Sequence, residues 1–429
     1  MTALQPHLHL RPRRVLMVAY HFPPLQGGSG VLRTQGFARY LPEAGWQPLV
    51  LSASPRAYDH TSGQATDDGQ LTVRRSAALD AARHLSLRGR YPACLALPDR
   101  WSSWWLSAVP AGLAMIRRYR PDAIWSTYPI ATAHLIGLTL HKLTGLPWIA
   151  DQRDPMIDDS DPQAPYPANT RMHRLHGWIE QRIAARSAAI VCTTPGALDS
   201  HRRRLAQVEA ERFCLIENGY DEAGFTDGAS HAAGSHRSRF LLLHSGVIYP
   251  SERDPQALFA ALARLRQGGV LAAHNFQLLL RATGHDDWLA GLLVKYGIAD
   301  LVTLAPLQAH QEALREMQSA DGLLLLQAAN CNGQIPAKLY EYLRCRRPVL
   351  ALTDLAGDSA AKLRLCGIDT IGQLASSGDC ARALLRFLDL ARQGRAPLAS
   401  QGAILLQSRQ ARSHALAELL DQVTHRSPP

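Results

Sequence analysis

The feature that most constrains this chain is a regular alternation of short apolar runs and longer segments with helical periodicity, which starts near residue 14. Such an alternation predicts parallel sheets covered by helices on both faces. In the first half, helices are predicted at 30–44, 108–120, 131–144 and 172–187. They lie among seven predicted strands, at 15–20, 48–52, 71–74, 123–127, 148–151, 189–193 and 213–217.

The alternation stops at residues 222–238, which are rich in Gly, Ala, Ser and His, and then restarts. A second set of strands is predicted at 240–244, 276–281, 302–304, 322–327 and 349–352, with helices between them. The prediction is an α/β protein with two facing, doubly wound, Rossmann-like domains. Its parts are a first domain at 1–221, a linker at 222–238, a second domain at 239–404, and a C-terminal helix and tail at 405–429 that return to the first domain.

Length and composition agree with two well-packed domains. The chain has 429 residues, 46% of them apolar, which is too long for one ordinary core and too apolar for a disordered chain. The net charge of +10 comes mainly from scattered arginines, and no nucleic-acid-binding motif accompanies it, so no nucleic-acid partner is predicted.

Seven cysteines without a C-x-x-C pair predict neither a disulfide framework nor a zinc site. The apolar run at 15–20 is too short for a signal peptide, so a cytoplasmic location is expected. No metal and no cofactor are expected.

The first motif that suggests a binding function is the turn after the first strand, from His21 to Gly30. Glycines let a backbone approach an anion closely, and free N–H groups at a helix start favour a phosphate. Arg33 stands where a third fingerprint glycine would fall, so the turn is neither a dinucleotide fingerprint nor a P-loop. The alternative is a plain flexible turn.

The second motif is Gln334-Ile335-Pro336-Ala337-Lys338-Leu339-Tyr340-Glu341-Tyr342-Leu343. Pro336 suits the first turn of a helix, on which Lys338 and Glu341 share one face. They are either an ordinary surface pair or a cation and a hydrogen-bond acceptor at a nucleotide site, and helical spacing alone leaves both interpretations open.

The order of motifs along nearly the whole chain resembles the retaining family 4 glycosyltransferases of the GT-B fold. The motifs that carry the resemblance are the run from Val15 to Arg33, Ala150-Asp151-Gln152-Arg153-Asp154-Pro155, Glu217-Asn218-Gly219-Tyr220-Asp221, His244-Ser245-Gly246-Val247-Ile248-Tyr249 with Arg253-Asp254-Pro255, and the segment from Ile335 to Leu350.

The resemblance implies an enzyme that moves a sugar from a nucleotide-diphosphate sugar, with retention of configuration, to a saccharide or lipid-linked acceptor. The residues implied for donor binding are Gly28, Ser29, Gly30, Gly246, Arg253, Lys338 and Glu341, with Glu341 on the ribose. Arg153 and Asp154 are implied near the reacting sugar, as catalytic residues. Alternatively, Arg153 and Asp154 form an ion pair that orders their loop, and Arg253 caps a helix or pairs with Glu252 or Asp254.

One position departs from the family pattern. Many members have two glutamates separated by seven residues; Glu341 matches the second, but Gly333 stands at the first. Asn330, Asn332 or Gln334 are candidates for replacement hydrogen bonds. This departure motivates the alternative hypothesis of a non-catalytic nucleotide-sugar-binding or scaffold subunit of a polysaccharide assembly complex. A nucleotide-sugar epimerase would need carboxylates that the sequence does not identify.

The acceptor side is predicted from fewer residues. Trp101, Trp104 and Trp105 precede an apolar helix that ends with Arg117, Arg118 and Arg120. Tryptophan with arginine is typical of a surface that touches anionic lipid, which predicts a peripheral contact with the inner face of the cytoplasmic membrane. A tryptophan-rich core edge is the alternative. His134 is a further candidate for the acceptor side, and a structural histidine is the alternative there.

Overall fold

The structure is a computed structural model of the chain, described for residues 12–61, 71–158, 166–225 and 239–425. In these residues the first sheet has seven parallel strands in the order β3-β2-β1-β4-β5-β6-β7. Numbered along the chain, β1 to β7 are Arg13–Val18, Trp46–Ala53, Thr72–Ser76, Ala123–Thr127, Trp148–Gln152, Ala189–Cys192 and Phe213–Leu215. The order reverses direction between β1 and β4, where open α/β sheets place ligands beyond the strand ends.

The helices that accompany this sheet have the amphipathic or apolar faces expected of a sheet cover. In chain order they are α1 Ser29–Tyr40, α2 Ala81–His84, α3 Trp104–Tyr119, α4 Ala131–Thr144, α5 Thr170–Arg186 and α6 Pro195–Arg204. The core strands are fully buried on both faces, which explains their nearly continuous apolar sequence.

The second sheet has six parallel strands among the described residues, in the order β10-β9-β8-β11-β12-β13. These strands, β8 to β13, are Phe240–Ser245, Phe276–Arg281, Val302–Ala305, Gly322–Leu326, Val349–Leu352 and Ile371–Gly372. Its helices, α7 to α13, are Gln256–Gln267, Asp286–Tyr296, His310–Ser319, Ala337–Cys345, Asp358–Leu365, Ser377–Arg392 and Gln401–Leu405. The order reverses between β8 and β11.

The last helix, α14 at Arg409–His425, belongs to the first compact unit. That unit comprises 1–193, 197–217 and 409–429, and the second comprises 194–196 and 218–408. α14 packs on α1, where the Arg409 side chain crosses the position a Gly36 side chain would fill. Asp421 accepts a hydrogen bond of 2.8 Å from the Trp46 indole. The predicted α/β fold class is confirmed, with two doubly wound parallel sheets and a final helix on the first.

Several local predictions differ from the structure. The C-terminal helix predicted from residue 405 is two helices, because residues 406 and 407 form a turn and Ser408 pairs with Tyr220 between α13 and α14. The helix predicted from residue 108 begins at Trp104 and contains Pro110. β13 was not predicted, because its two residues are too few to show a pattern. The predicted linker, 222–238, lies outside the described residues from 226 onward.

A search of the described helices for a segment long and apolar enough to cross a membrane finds none.

Candidate functional site

In the first unit, the turn after β1 places glycines and cations at the start of α1. Gly28 precedes the helix with φ of 82°, a left-handed conformation that favours glycine. A side chain at Gly30 would collide with the Arg153 guanidinium and lie 2.9 Å from His21 Nδ1. The first turn of α1 has no acidic residue. Its N–H groups, the helix dipole and Arg153 together form a site suited to an anion.

Arg153 is held by its neighbour Asp154. Its Nη2 and Nε lie 2.5 Å and 3.0 Å from Asp154 Oδ2, and the side chains are 9% and 51% exposed. The ion pair considered in the sequence is therefore present, and it orients a guanidinium that also reaches Gly30. Burial, with the positive charge of Arg153 as a smaller cause, lowers the pKa of His21 to about 4, so this imidazole is neutral at physiological pH.

A buried ion pair below this turn was not identified from the sequence. Arg33 on α1 donates to both carboxylate oxygens of Asp151 on β5, at 3.0 Å and 2.7 Å, and to the carbonyls of Ile216 and Glu217. Thr127 adds a third donor to Asp151, at 2.8 Å. The residue that breaks the glycine fingerprint therefore fixes α1 to the sheet beside the turn.

In the second unit, the candidate site forms after β8, beside the reversal point of the sheet. Gly246 has φ of 108°, and a Cβ there would lie only 3.0 Å from Lys338 Nζ. The backbone conformation thus favours glycine, and a side chain here would also crowd the amine. Lys338 lies in the first turn of α10, which begins directly after Pro336 as predicted.

The Lys338 amine contacts His244, which is fully buried at the end of β8. Lys338 Nζ lies 3.1 Å from His244 Nε2, and His244 Nδ1 lies 3.0 Å from the Leu324 carbonyl. Burial, reinforced by the charge of Lys338, keeps the pKa of His244 well below its ordinary value. Removal from water lowers the pKa of Lys338 to about 7; Arg253 acts in the same direction and Glu341 opposes it.

Arg253 is held in the loop after β8. Its Nη1 donates to the Val247 carbonyl at 3.1 Å, its guanidinium lies over the Tyr249 ring, and its Nη2 is 3.6 Å from Glu252. Asp254, and not Arg253, contacts the start of the next helix, since it accepts from the Gln256 N–H at 3.0 Å. The buried Arg253 Nε has no hydrogen-bond partner within the described part of the chain.

Glu341 lies one turn after Lys338 on α10. Its Oε1 is 3.7 Å from Nε2 of His310, and the side chains are 13% and 50% exposed. The structure therefore brings together four of the residues predicted for donor binding: Gly246, Arg253, Lys338 and Glu341. His244 joins them; its one signal in the sequence was a histidine after three leucines in a predicted strand.

The loop that carries Gly333 is held by amide side chains. Asn330 donates to the Ser251 carbonyl at 2.9 Å, and Asn332 donates to Asp354 at 2.7 Å. Asn332 Oδ1 is buried and has no hydrogen-bond partner among the described residues. Gln334 contributes its carbonyl, which accepts from Gln327 at 2.9 Å. The Asn332 Oδ1 atom lies beside Gly357, 2.8 Å from the position that a Cβ on this glycine would take, so the replacement hydrogen bond stays a prediction.

Two residues considered for the acceptor side are in the core of the first unit. His134 is fully buried, and its Nδ1 is 2.8 Å from Ser126 Oγ, which fits the structural alternative. Burial lowers the pKa of His134 to about 4. Trp104 is also fully buried and donates to Ser76 at 2.9 Å, whereas Trp105 remains exposed.

Among the described residues there is no group of three or more His, Cys, Asp or Glu side chains arranged to hold a metal ion.

Residues 27–219 match the family model described as a glycosyl transferase 4-like domain. The fold is similar to sucrose-phosphate synthase from Thermosynechococcus elongatus, with a TM-score of 0.69 and 16% identity over 97% of this chain and 100% of that one. It is also similar to HepE from Anabaena in complex with UDP and glucose, with a TM-score of 0.64 and 14% identity over 96% and 100% of the two chains. A third similar structure is WaaG, a glycosyltransferase involved in lipopolysaccharide biosynthesis, with a TM-score of 0.63 and 15% identity over 95% of this chain and 99% of that one. No curated protein sequence matches significantly.

With its two doubly wound parallel sheets, the structure has the GT-B fold of these glycosyltransferases. The match to the 4-like domain, over residues that belong mostly to the first unit, confirms the predicted resemblance to family 4.

Proposed function

We propose that this enzyme transfers a sugar from a nucleotide-diphosphate sugar, with retention of configuration, to a saccharide or lipid-linked acceptor in polysaccharide or glycolipid synthesis. The observation that carries the proposal is the cluster of Lys338, Gly246, Arg253 and Glu341 in the second unit. HepE, one of the similar structures, was solved with UDP-glucose, with UDP and with UDP and glucose, which supports a donor of this class.

The cluster has the chemistry that a nucleoside diphosphate needs. Arg253 and Lys338 are cations within one site, and the start of α10 adds the positive end of a helix dipole. Departure of the nucleoside diphosphate develops negative charge, which fixed cations stabilise. Glu341 offers carboxylate oxygens to ribose hydroxyls.

In the first unit we propose an anion-binding role for the turn Gly28-Ser29-Gly30 and for Arg153. The Arg153–Asp154 ion pair is proposed to act near the reacting sugar, with Asp154 holding the guanidinium in place. The neutral His21 beside Gly30 adds a polar ring that carries no competing positive charge.

For the acceptor, we propose a lipid-linked molecule reached at the inner face of the cytoplasmic membrane. α4 contacts α3 on one side and α5 on the other, and the single acidic residue of the three helices, Glu180, is buried against Arg204. The exposed apolar side chains of this layer line one groove with Lys142; they are Trp105, Leu106, Leu143 and Trp178. Aromatic and basic side chains without exposed carboxylates suit an anionic lipid surface.

The proposal is tested by incubating the purified chain with UDP-, GDP- and ADP-sugars while measuring thermal stabilisation, slow donor hydrolysis and transfer to lipid-linked acceptors. We expect one nucleotide class to stabilise the protein and its sugar to be hydrolysed, with the anomeric configuration of the product retained by NMR. Stabilisation without hydrolysis or transfer would instead support the non-catalytic binding subunit that Gly333 suggests.

A variant localises the donor site. Glu341→Ala should weaken binding of the stabilising nucleotide without unfolding the protein, because the Glu341 carboxylate lies beside the half-exposed His310 and not in an apolar core cluster. Glu312→Ala, at an exposed position on α9, is the matched control. Unchanged affinity in Glu341→Ala would refute the ribose assignment.

A further inference from the structure

His244 is the buried polar group of the second unit whose chemistry the donor site does not yet explain. Its neighbours along β8, Leu242 and Leu243, are both core residues. A polar side chain is rarely retained in such a strand unless its hydrogen bonds are satisfied.

The two ring nitrogens of His244 have different nearest partners, and this favours one tautomer, although the Gly246 backbone also acts on the ring. The Leu324 carbonyl can only accept, so Nδ1, at 3.0 Å, carries the hydrogen and donates. Burial keeps the ring neutral. Nε2 therefore bears a lone pair, and the group in front of it is the Lys338 amine at 3.1 Å, which donates to it.

This arrangement holds the Lys338 amine from the side of the sheet. His244 is fixed to β11 through Leu324, so its acceptor atom has a set position relative to the sheet. On the Gly246 side, Lys338 Nζ has the space that a Cβ would occupy. The charged groups that act on the amine are Arg253 and Glu341, from the β8–α7 loop and from α10 itself.

We propose that His244 is a positioning residue for the donor phosphates, which accepts a hydrogen bond from Lys338 through an unprotonated Nε2 and holds the amine beside Gly246 for the diphosphate. The inference rests on the proposed function, because it assumes that Lys338 meets a nucleoside diphosphate. In this role His244 does not transfer a proton, since its one ring hydrogen stays on Nδ1, bonded to the Leu324 carbonyl.

Two substitutions separate positioning from packing. His244→Gln places an amide oxygen near the former Nε2 and can still accept from Lys338. His244→Asn places an amide N–H near the former Nδ1, so it keeps the bond to Leu324 and loses the acceptor. His274→Asn, at an exposed position before β9, controls for the substitution itself.

The experiment measures binding of UDP, GDP and ADP to the full chain from pH 6 to pH 9 by calorimetry, with thermal unfolding of each variant. For the nucleotide that binds the unaltered protein, we expect His244→Asn to weaken affinity about tenfold or more, because a hydrogen bond to a charged group is lost. We expect His244→Gln to stay within about threefold. Without the acceptor, the protonated amine is less stable, so the loss of affinity with rising pH should begin at lower pH in His244→Asn.

The outcomes are distinguishable. If the unaltered protein binds none of the three nucleotides, both the proposed function and the positioning role fail. If it binds, and His244→Asn matches it in affinity and pH profile, or both variants fall equally, the positioning role alone is overturned.

A measurement on the unaltered protein covers the case in which a variant does not fold. In a protein labelled with 15N-histidine, several buried rings should stay neutral at pH 5, His21 and His134 among them, because burial lowers the pKa of each to about 4. One further neutral ring should be the Nδ1–H tautomer with an Nε2 signal that shifts when the nucleotide is added. Absence of any neutral Nδ1–H ring that responds to the nucleotide would contradict the assignment.

Discussion

Arg33 and Asp151 form a two-point ion pair in the interior of the first unit, with Nη2 2.7 Å from Oδ1 and Nε 3.0 Å from Oδ2. Arg33 is 5% exposed and Asp151 is fully buried. The pair connects the helix that follows the glycine turn with the strand that leads to Arg153 and Asp154. The position of the proposed anion site thus depends on a contact between residues far apart in sequence.

Removing one partner of this pair should be costly, because the other charge is then left buried. We expect Asp151→Asn to reduce the free energy of unfolding by about 3–5 kcal/mol, measured by urea denaturation. The exposed pair Arg266–Asp300, at 3.0 Å, provides the control, and Asp300→Asn should change stability by less than about 1 kcal/mol. Equal effects of the two substitutions would show that the Arg33–Asp151 pair does not hold the turn.

We expect the Lys338 amine to lower the free energy of unfolding, although it contributes to nucleotide binding. Its pKa in the folded protein is about 7, below the ordinary value of 10.5, so the folded state disfavours the charged amine. This penalty is fully present below pH 7 and disappears as pH rises toward 10.5, because the unfolded chain also loses the proton there. Lys338→Met should therefore raise the melting temperature at pH 6 more than at pH 10, and abolish nucleotide binding. If Lys338→Met melted at a lower temperature than the unaltered protein at pH 6, the charged amine would be stabilising and the prediction would be wrong.

Gly30 should be needed for activity because its missing side chain leaves space for the Arg153 guanidinium. A methyl group there would collide with the Arg153 guanidinium, so Gly30→Ala should displace Arg153 and lower kcat/KM for the donor about tenfold or more. Gly291 on α8 has open space around it, and Gly291→Ala should leave turnover unchanged and stabilise the helix by about 1 kcal/mol. Full activity of Gly30→Ala would show that Arg153 is not needed at this position.

The layer of α3, α4 and α5 should bind anionic vesicles. Leu106 and Leu143 are exposed there, so Leu106→Ser/Leu143→Ser should weaken co-sedimentation with phosphatidylglycerol vesicles about thirtyfold, by about 1 kcal/mol for each leucine. Leu355→Ser/Leu365→Ser removes two exposed leucines from the second unit and should have no effect. Binding should fall as salt is raised. Equal binding to neutral phosphatidylcholine vesicles would argue against an anionic partner.

The sequence predicted the sheets well because buried parallel strands leave a direct signal. β11, Gly322–Leu326, is fully buried and its four leucines form one uninterrupted apolar run. The start of α10 was predicted for a similarly local reason, since Pro336 suits only the beginning of a helix. The residues Lys338 and Glu341 could also be selected from local spacing and from the family resemblance.

The sequence could not show what depends on distant partners. Arg33 was only a departure from a glycine pattern, because its buried carboxylate lies 118 residues away on β5. Helical spacing placed Lys338 near Glu341, whereas its hydrogen bond is to His244, on a strand 94 residues earlier. Trp104 and Trp105 are adjacent in sequence, and only the packing of α3 decides that the first is buried and the second exposed.

The order of the units along the chain has a consequence for synthesis. Almost all of the second unit is one continuous stretch, 218–408, whereas the first needs α14, which follows that stretch in the chain and is translated after it. Near its ends, the Tyr220 N–H donates to the Gln407 carbonyl at 3.1 Å, so this stretch closes on itself. On the ribosome, the part that carries Lys338 and His244 can therefore complete its core while the earlier-made sheet still lacks its final helix.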